Sequence, residues 1–342
     1  MKKTWVRLSL ILILTGGFLY FFFRSVEWGQ VFRYLTDVDV GFFILLILLA
    51  PLHLVTRALR WEYLLRQEKK GIRFYSKFAG NAVGFTVNFV FPGRIGELVR
   101  PLYIAQKENM KKGFVVGTIV VERIFDIFTM CFFLGFFLLM EPVFRSAFSV
   151  DKAVFSNLYW WGIIGVAFAS LLMVVVLSLY FFRDKTLSLI QFILKPLPQK
   201  FSEKINNLFQ EFVLGLKFFH SFRNLLIYIG LSFVVWLGII FFYWILFFAY
   251  HISVPLYSVF PYVFLTMVGA SIPTPGMVGG FHYFSKLGLT TLFQVNLNLA
   301  VSMTIVVHAV QVVMTCLMGY GILCKEGISL LQIKKLSEGT SK

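Results

Sequence analysis

The sequence predicts an all-α polytopic membrane protein with six spanning helices and two re-entrant broken hairpins arranged as a pseudo-inverted repeat. Composition is the first reason. Of the 342 residues, 58% are hydrophobic, 18% aromatic and only 14% charged, and the mean hydropathy is +0.81, which leaves too little polar surface to cover a soluble globule. The second reason is a repeated breaker: Pro92-Gly93-Arg94-Ile95-Gly96 and Pro275-Gly276-Met277-Val278-Gly279 both interrupt long apolar stretches. Pro removes a backbone donor and Gly tolerates positive φ, so each breaker ends one helix and starts another. Broken backbone at membrane depth survives only inside protein or beside a water-filled cavity, so paired breaks in two halves point to a binding site between repeats and to a transporter.

Spans are expected at Trp5 to Phe23, Val40 to Thr56, Gly113 to Met140, Trp160 to Phe182, Leu225 to Tyr250 and Leu297 to Leu323. Lys2, Lys3 and Arg7 precede the first apolar run, but no small-residue cleavage site precedes Arg24, so an uncleaved span is expected rather than a signal peptide. The apolar arms around the first breaker, Phe78 to Phe91 and Ile95 to Ile104, would reach roughly 15–21 Å at ~1.5 Å per residue, short of a ~30 Å hydrocarbon core. Tyr257 to Ile272 and Phe281 to Phe293 are short in the same way, so both pairs should turn back. The chain then reads as one integral membrane domain over residues 1–342, with hairpins at 78–104 and 257–293 and a short cytosolic tail at 325–342.

Charge sets the orientation. Of 32 Lys and Arg residues, 26 fall on one side of this map and four (Arg24, Arg33, Arg145, Lys152) on the other, which makes both termini cytoplasmic in a multi-pass plasma-membrane protein of bacterial type. The first hairpin then enters from the cytoplasm and the second from outside. The net charge of +16 is read as this bias plus attraction to anionic lipid, and nucleic-acid binding is excluded because no soluble basic domain is visible. Segment 201–219 places Phe201, Ile205, Leu208, Phe212 and Phe219 on one helical face and is expected along the inner leaflet. Cys131, Cys316 and Cys324 show no metal or redox spacing and read as packing residues; no metal, cofactor or catalytic constellation is expected.

Ionisable residues at membrane depth are costly, so they carry the site reading. Glu122 and Asp126 lie four apart on one helix face and Arg123 can pair with Asp126. This set reads equally as a structural ion-pair lock or as an anion site with a titrating carboxylate. In the first breaker, Arg94 sits in the break and Glu97 and Arg100 one turn apart on the returning arm. The N-terminus of a half-helix with guanidinium forks suits phosphate, while the plain alternative is snorkelling to headgroups. Asn81 and Asn88 form a polar stripe on the entering arm. Thr304, His308, Gln311 and Thr315 form a polar line on the last span that serves packing as well as a substrate path, and His282 follows the second breaker beside Lys286.

These residues carry a resemblance. Arg57-Ala58-Leu59-Arg60-Trp61, Asn88 to Arg100, Glu122-Arg123-Ile124-Phe125-Asp126 and Pro273-Thr274-Pro275-Gly276 together make the chain similar to the flippase-like family that includes the transmembrane region of lysylphosphatidylglycerol synthases. The resemblance covers nearly the whole chain. It implies a lipid translocase for aminoacylated phosphatidylglycerol or polyprenyl-phosphate lipids, with Arg94, Glu97, Arg100, Glu122, Arg123 and Asp126 as the functional set. Two positions depart from the family pattern, where glycine is usual in place of Met277 and an acidic residue in place of His282. The transferase domain of those synthases finds no counterpart, since only about eighteen residues follow the last expected span.

Three readings follow: a flippase for a phosphate-bearing lipid, with anionic phospholipid or polyprenyl phosphate as partner; a phosphatidylglycerol lysyltransferase; or a membrane subunit of a separate lipid-modifying enzyme or glycosyltransferase. The first is favoured because the 42 Phe residues suit an acyl-chain wall and no nucleophile–base arrangement is visible.

Overall fold

The two breakers fold as expected, each into a tight helical hairpin. In a computed structural model that describes residues 2–144 and 222–337, with isolated positions between 160 and 188, the first hairpin is α5 (Phe74–Val90) and α6 (Gly96–Lys107). Six further helices surround the hairpins: α1 (Lys2–Phe23), α2 (Trp28–Thr36), α3 (Val40–Leu49), α4 (Leu52–Leu65), α7 (Lys112–Phe144) and, after residue 221, α8 (Phe222–Ala249). The second hairpin is α9 (Val259–Ser271) and α10 (Gly280–Leu292), followed by α11 (Leu297–Glu326) and α12 (Leu330–Ser337).

Both breaks use the same backbone. Gly93 and Arg94 have φ of +82° and +55°, and Gly276 and Met277 have +61° and +60°, so each Pro-Gly-x turns through two consecutive left-handed residues. That conformation is natural for Gly and strained for Arg94 and Met277. Just beyond the turn each hairpin closes on itself through glycine. A Cβ on Gly96 would run into the Gly84 carbonyl, and a Cβ on Gly269 would lie 2.5 Å from the Gly280 carbonyl. The arms thus meet backbone to backbone at corresponding depths.

The predicted spans are borne out only in part. Among the described residues three helical stretches are long and apolar enough to cross a membrane, Val40–Leu65, Phe222–Ala249 and Leu297–Glu326. A fourth is formed if Ser9–Phe23 and Trp28–Thr36, which meet at 81°, count as one broken crossing. Trp160 to Phe182 falls largely, and segment 201–219 and the end of the tail entirely, outside the described residues.

One boundary is corrected. The second span does not stop at Thr56; Pro51 interrupts it only locally, and the helix resumes from Leu52 to Leu65. Arg57 and Arg60, read from the sequence as loop charges, are therefore inside the bundle at 5% and 0% exposure. Their apolar neighbours Ala58, Trp61 and Leu64 are buried with them, while the exposed face of the helix carries Leu59 and Glu62.

Local chemistry fixes the ends. Asp39 caps α3 by accepting from the Phe42 amide at 3.0 Å. Lys286, in the second hairpin, donates to the Phe21 and Phe22 carbonyls at 2.5 and 2.8 Å and so satisfies the C-terminus of α1. Near the other end of the fold Glu326 accepts from Tyr103, at 2.7 Å, and from Lys107, tying α11 to α6. The largest apolar cluster joins α3, α7, α8, the second hairpin and α11; a smaller one joins the first hairpin to α4, α11 and α12.

Candidate functional site

Between the hairpins lies a cavity of about 570 Å³, with wall residues from α4, both hairpins, α7, α8 and α11. Most of the wall is apolar: Phe85, Phe89, Met130, Phe242, Phe264 and Phe281 line it. Arg57, Arg94, Glu97, Arg123 and Asp126 also contribute to the wall, as do His53, His308, Gln311 and Thr315.

The charged residues form one connected network. Arg60 reaches two acids of α7, with Nη1 to Asp126 Oδ1 at 2.7 Å and Nη2 to Glu122 Oε1 at 3.2 Å. Arg100 closes on the other Glu122 oxygen at 2.6 Å, and Arg57 on Asp126 at 3.1 Å. Arg123 pairs with Asp126 at 3.3 Å, the i,i+3 contact expected from the sequence, and with Glu97 at 3.3 Å. Trp236 donates its indole N–H to Asp126 at 3.0 Å, and the Arg100 guanidinium lies 4.1 Å from the centre of the Trp61 ring. Four elements, α4, α6, α7 and α8, are pinned together at this point.

Burial orders the network. Glu122, Arg60 and Arg100 have side chains 0–2% exposed and lie behind the cavity wall, whereas Arg123 is 35% and Glu97 25% exposed at its surface. Bringing so many charges out of water is tolerable only because nearly every one is paired and hydrogen-bonded. Glu122 and Asp126 are each held by at least two guanidinium groups.

The hairpin tips meet beside the cavity. Arg94 Nη2 donates to the Ala270 carbonyl at 2.6 Å, at the open C-terminal end of α9. A Cβ on Gly276 would lie 3.1 Å from the Phe89 carbonyl, and His308 Nε2 contacts the Gly276 carbonyl at 3.0 Å.

The sequence-derived set is thus partly assembled. Arg94, Glu97, Arg123 and Asp126 share the cavity wall, while Arg100 and Glu122 stand behind it. Asn88 is buried at the hairpin crossing, where a Cβ on Gly96 would lie 2.6 Å from its Oδ1, and Asn81 donates to the Leu54 carbonyl at 3.3 Å; neither lines the cavity. His282 packs behind His308, with ring centres 4.5 Å apart, and against Phe22 at 5.1 Å. Of the last-helix polar line, Thr304 bonds Ser285 at 2.8 Å, whereas His308, Gln311 and Thr315 face the cavity. Arg57 and Arg60 were missed. Their three-residue spacing in an otherwise apolar helical stretch was the available signal.

Comparison with known proteins identifies the family. A family model described as "Lysylphosphatidylglycerol synthase TM region" matches residues 6–319. A UPF0104 membrane protein of Methanocaldococcus jannaschii is 22% identical over 347 residues, covering 98% of this chain and 97% of the relative. With a family match spanning nearly its full length, the chain is a membrane protein that belongs to the lysylphosphatidylglycerol synthase transmembrane-region family.

Proposed function

We propose that this protein is a lipid translocase that carries a phosphate-bearing headgroup through the inter-hairpin cavity while the lipid tails remain in the surrounding bilayer. The observation that supports this reading is the make-up of the cavity: an aromatic and aliphatic wall that includes three guanidinium side chains, Arg57, Arg94 and Arg123. A guanidinium fork matches phosphate oxygens, and apolar walls suit glycerol and the first methylenes of a lipid. At about 570 Å³ the chamber is of headgroup size. Anionic phospholipid, its aminoacylated form and polyprenyl phosphate all belong to the substrate class.

The mechanism rests on six crossings and an inverted pair of hairpins, entering from opposite leaflets, with both termini in the cytoplasm of a bacterial plasma membrane. The shared Pro-Gly-x turn and the matching Gly84/Gly96 and Gly269/Gly280 crossings favour it, because an inverted repeat needs equivalent local geometry in its two halves. In this reading Arg94 and Arg123 hold the phosphate, Glu97 orients Arg123, and Arg60, Arg100, Glu122 and Asp126 brace the wall. A separate lipid-modifying enzyme would supply or consume the lipid.

The test is movement of a labelled phospholipid in proteoliposomes. Arg94→Ala and Arg123→Ala should each abolish it while the purified protein stays folded. Arg94→Lys should restore only part, since an ammonium offers no bidentate contact. Transport unchanged in both alanine variants would defeat the proposal.

A further inference from the structure

The charges around the cavity do not balance. Among the described residues the network holds five guanidinium groups, Arg57, Arg60, Arg94, Arg100 and Arg123, against three carboxylates, Glu97, Glu122 and Asp126. Lys77, also buried on α5, has its own acid, Glu62, at 2.7 Å. An excess of two positive charges remains in a largely apolar enclosure, where an uncompensated charge is far more costly than in water.

Helix ends do not remove this excess. Arg94 is partly answered by the carbonyl end of α9, but the amide end of α6, at Gly96 and Glu97, contributes positive potential of similar size to the same region.

The hydrogen-bonding inventory points the same way. Arg57 Nε, Arg94 Nε and Arg123 Nη2 are each buried N–H groups without a hydrogen-bond partner, and all three side chains contribute to the cavity wall. A phosphomonoester presents three terminal oxygens and about two negative charges at neutral pH; a phosphodiester presents two such oxygens and one charge.

From the charge excess and the three incompletely bonded guanidinium groups in its wall we infer that the cavity is built for a lipid ending in a dianionic phosphomonoester, in preference to the phosphodiester of an ordinary phospholipid. The inference rests on the translocase reading and narrows its substrate class. Arg94 is the specificity-determining residue in this scheme, because among the described residues it is the cavity guanidinium with no carboxylate at ion-pair distance; its hydrogen bond goes to a backbone carbonyl.

The experiment is a matched pair of lipids with identical acyl chains, dioleoyl phosphatidate and dioleoyl phosphatidylglycerol, titrated against the detergent-purified full chain at pH 8 and read by native mass spectrometry. The wild type should retain phosphatidate at least about tenfold more tightly, the direction set by one additional charge in a low-dielectric site. Arg94→Gln keeps a donor for Ala270 and removes one charge, and it should bring the two lipids close to parity. Equal retention by the wild type, or preference for phosphatidylglycerol, overturns the inference and leaves the translocase reading standing. Retention of neither lipid overturns both.

Discussion

Arg94 and Ala270 join the two hairpins: a guanidinium at the tip of the first donates, at 2.6 Å, to a carbonyl that the last turn of α9 leaves without a helical partner. A cation at a helix C-terminus contributes ~0.3–1 kcal/mol, and up to ~2 kcal/mol when partly buried. Arg94→Ala should therefore lower the thermal midpoint of the purified protein by an amount equivalent to about 1–2 kcal/mol, and Arg94→Lys by less. An unchanged midpoint in Arg94→Ala would show that the bond does not tie the tips.

Asp126 accepts from Arg57, Arg60, Arg123 and Trp236. Removing one partner from a buried ion network costs about 3–5 kcal/mol, chiefly because the remaining charges are left without compensation. Asp126→Asn should sharply reduce the yield of monodisperse protein in detergent. Adding Arg57→Gln should recover part of it, since one stranded charge disappears; a double variant worse than the single would refute this account.

Gly96 and Gly93 are both breaker glycines, yet they should respond to alanine for different reasons. Gly93 has open space for a Cβ but a φ of +82°, so Gly93→Ala meets a conformational cost of roughly 1–2 kcal/mol. Gly96 has no room, since its Cβ would enter the Gly84 carbonyl and only a backbone shift could relieve it. Gly96→Ala should be the more damaging in a thermal melt, at or above the upper end of the ~1–3 kcal/mol range for overpacking. The reverse order would contradict the close crossing.

Met277 holds a left-handed φ of +60°. Met277→Gly relieves the Cβ strain and gives back some of that gain as chain entropy, for a net stabilisation of about 0.5–1 kcal/mol. A rise of a degree or more in the melting midpoint is expected, and a fall would mean that the Met277 side chain contributes more by packing than its backbone loses.

Glu108, in the connection between α6 and α7, accepts from Lys69 Nζ at 2.9 Å. Burial alone would raise its pKa, but the hydrogen bond and charge of Lys69 outweigh that and hold it below the usual carboxylate value. A carboxylate depressed in the folded state stabilises above its unfolded pKa, near ~4.3, and loses that contribution as pH falls through the folded value. Protection factors of the amides at 66–73 and 108–112, corrected for the intrinsic rate, should hold from pH 7 to about 5 and fall below about 4, and Glu108→Gln should remove that fall.

Hairpins and tips were legible in the sequence because their signal is local. Pro-Gly-x-x-Gly dictates the backbone, and the observed arms, Phe74–Val90 with Gly96–Lys107 and Val259–Ser271 with Gly280–Leu292, lie within a few residues of the expected ones. Arg123 and Asp126 were legible as a pair because i,i+3 spacing on a helix guarantees proximity. What could not be read were partners set by tertiary packing. Nothing in the spacing from Arg60 to Glu122 announces a contact across 62 residues, and charges at Arg57 and Arg60 resemble a span's cytoplasmic flank until α4 is seen to continue to Leu65. His282, legible in the sequence only as a residue just after the second breaker, lies one layer behind His308, whose Nε2 contacts the Gly276 carbonyl.

The glycine crossings leave each hairpin without a soft coordinate of its own. With Gly84 lying on Gly96 and Gly269 on Gly280, the arms interlock backbone to backbone at these points, where no Cβ could be added without a shift. In the proposed translocase, exposing the chamber to one face and then the other falls to a whole hairpin tilting as a stiff lever, with the few atoms where Arg94 meets Ala270 and Gly276 meets Phe89 as its fulcrum.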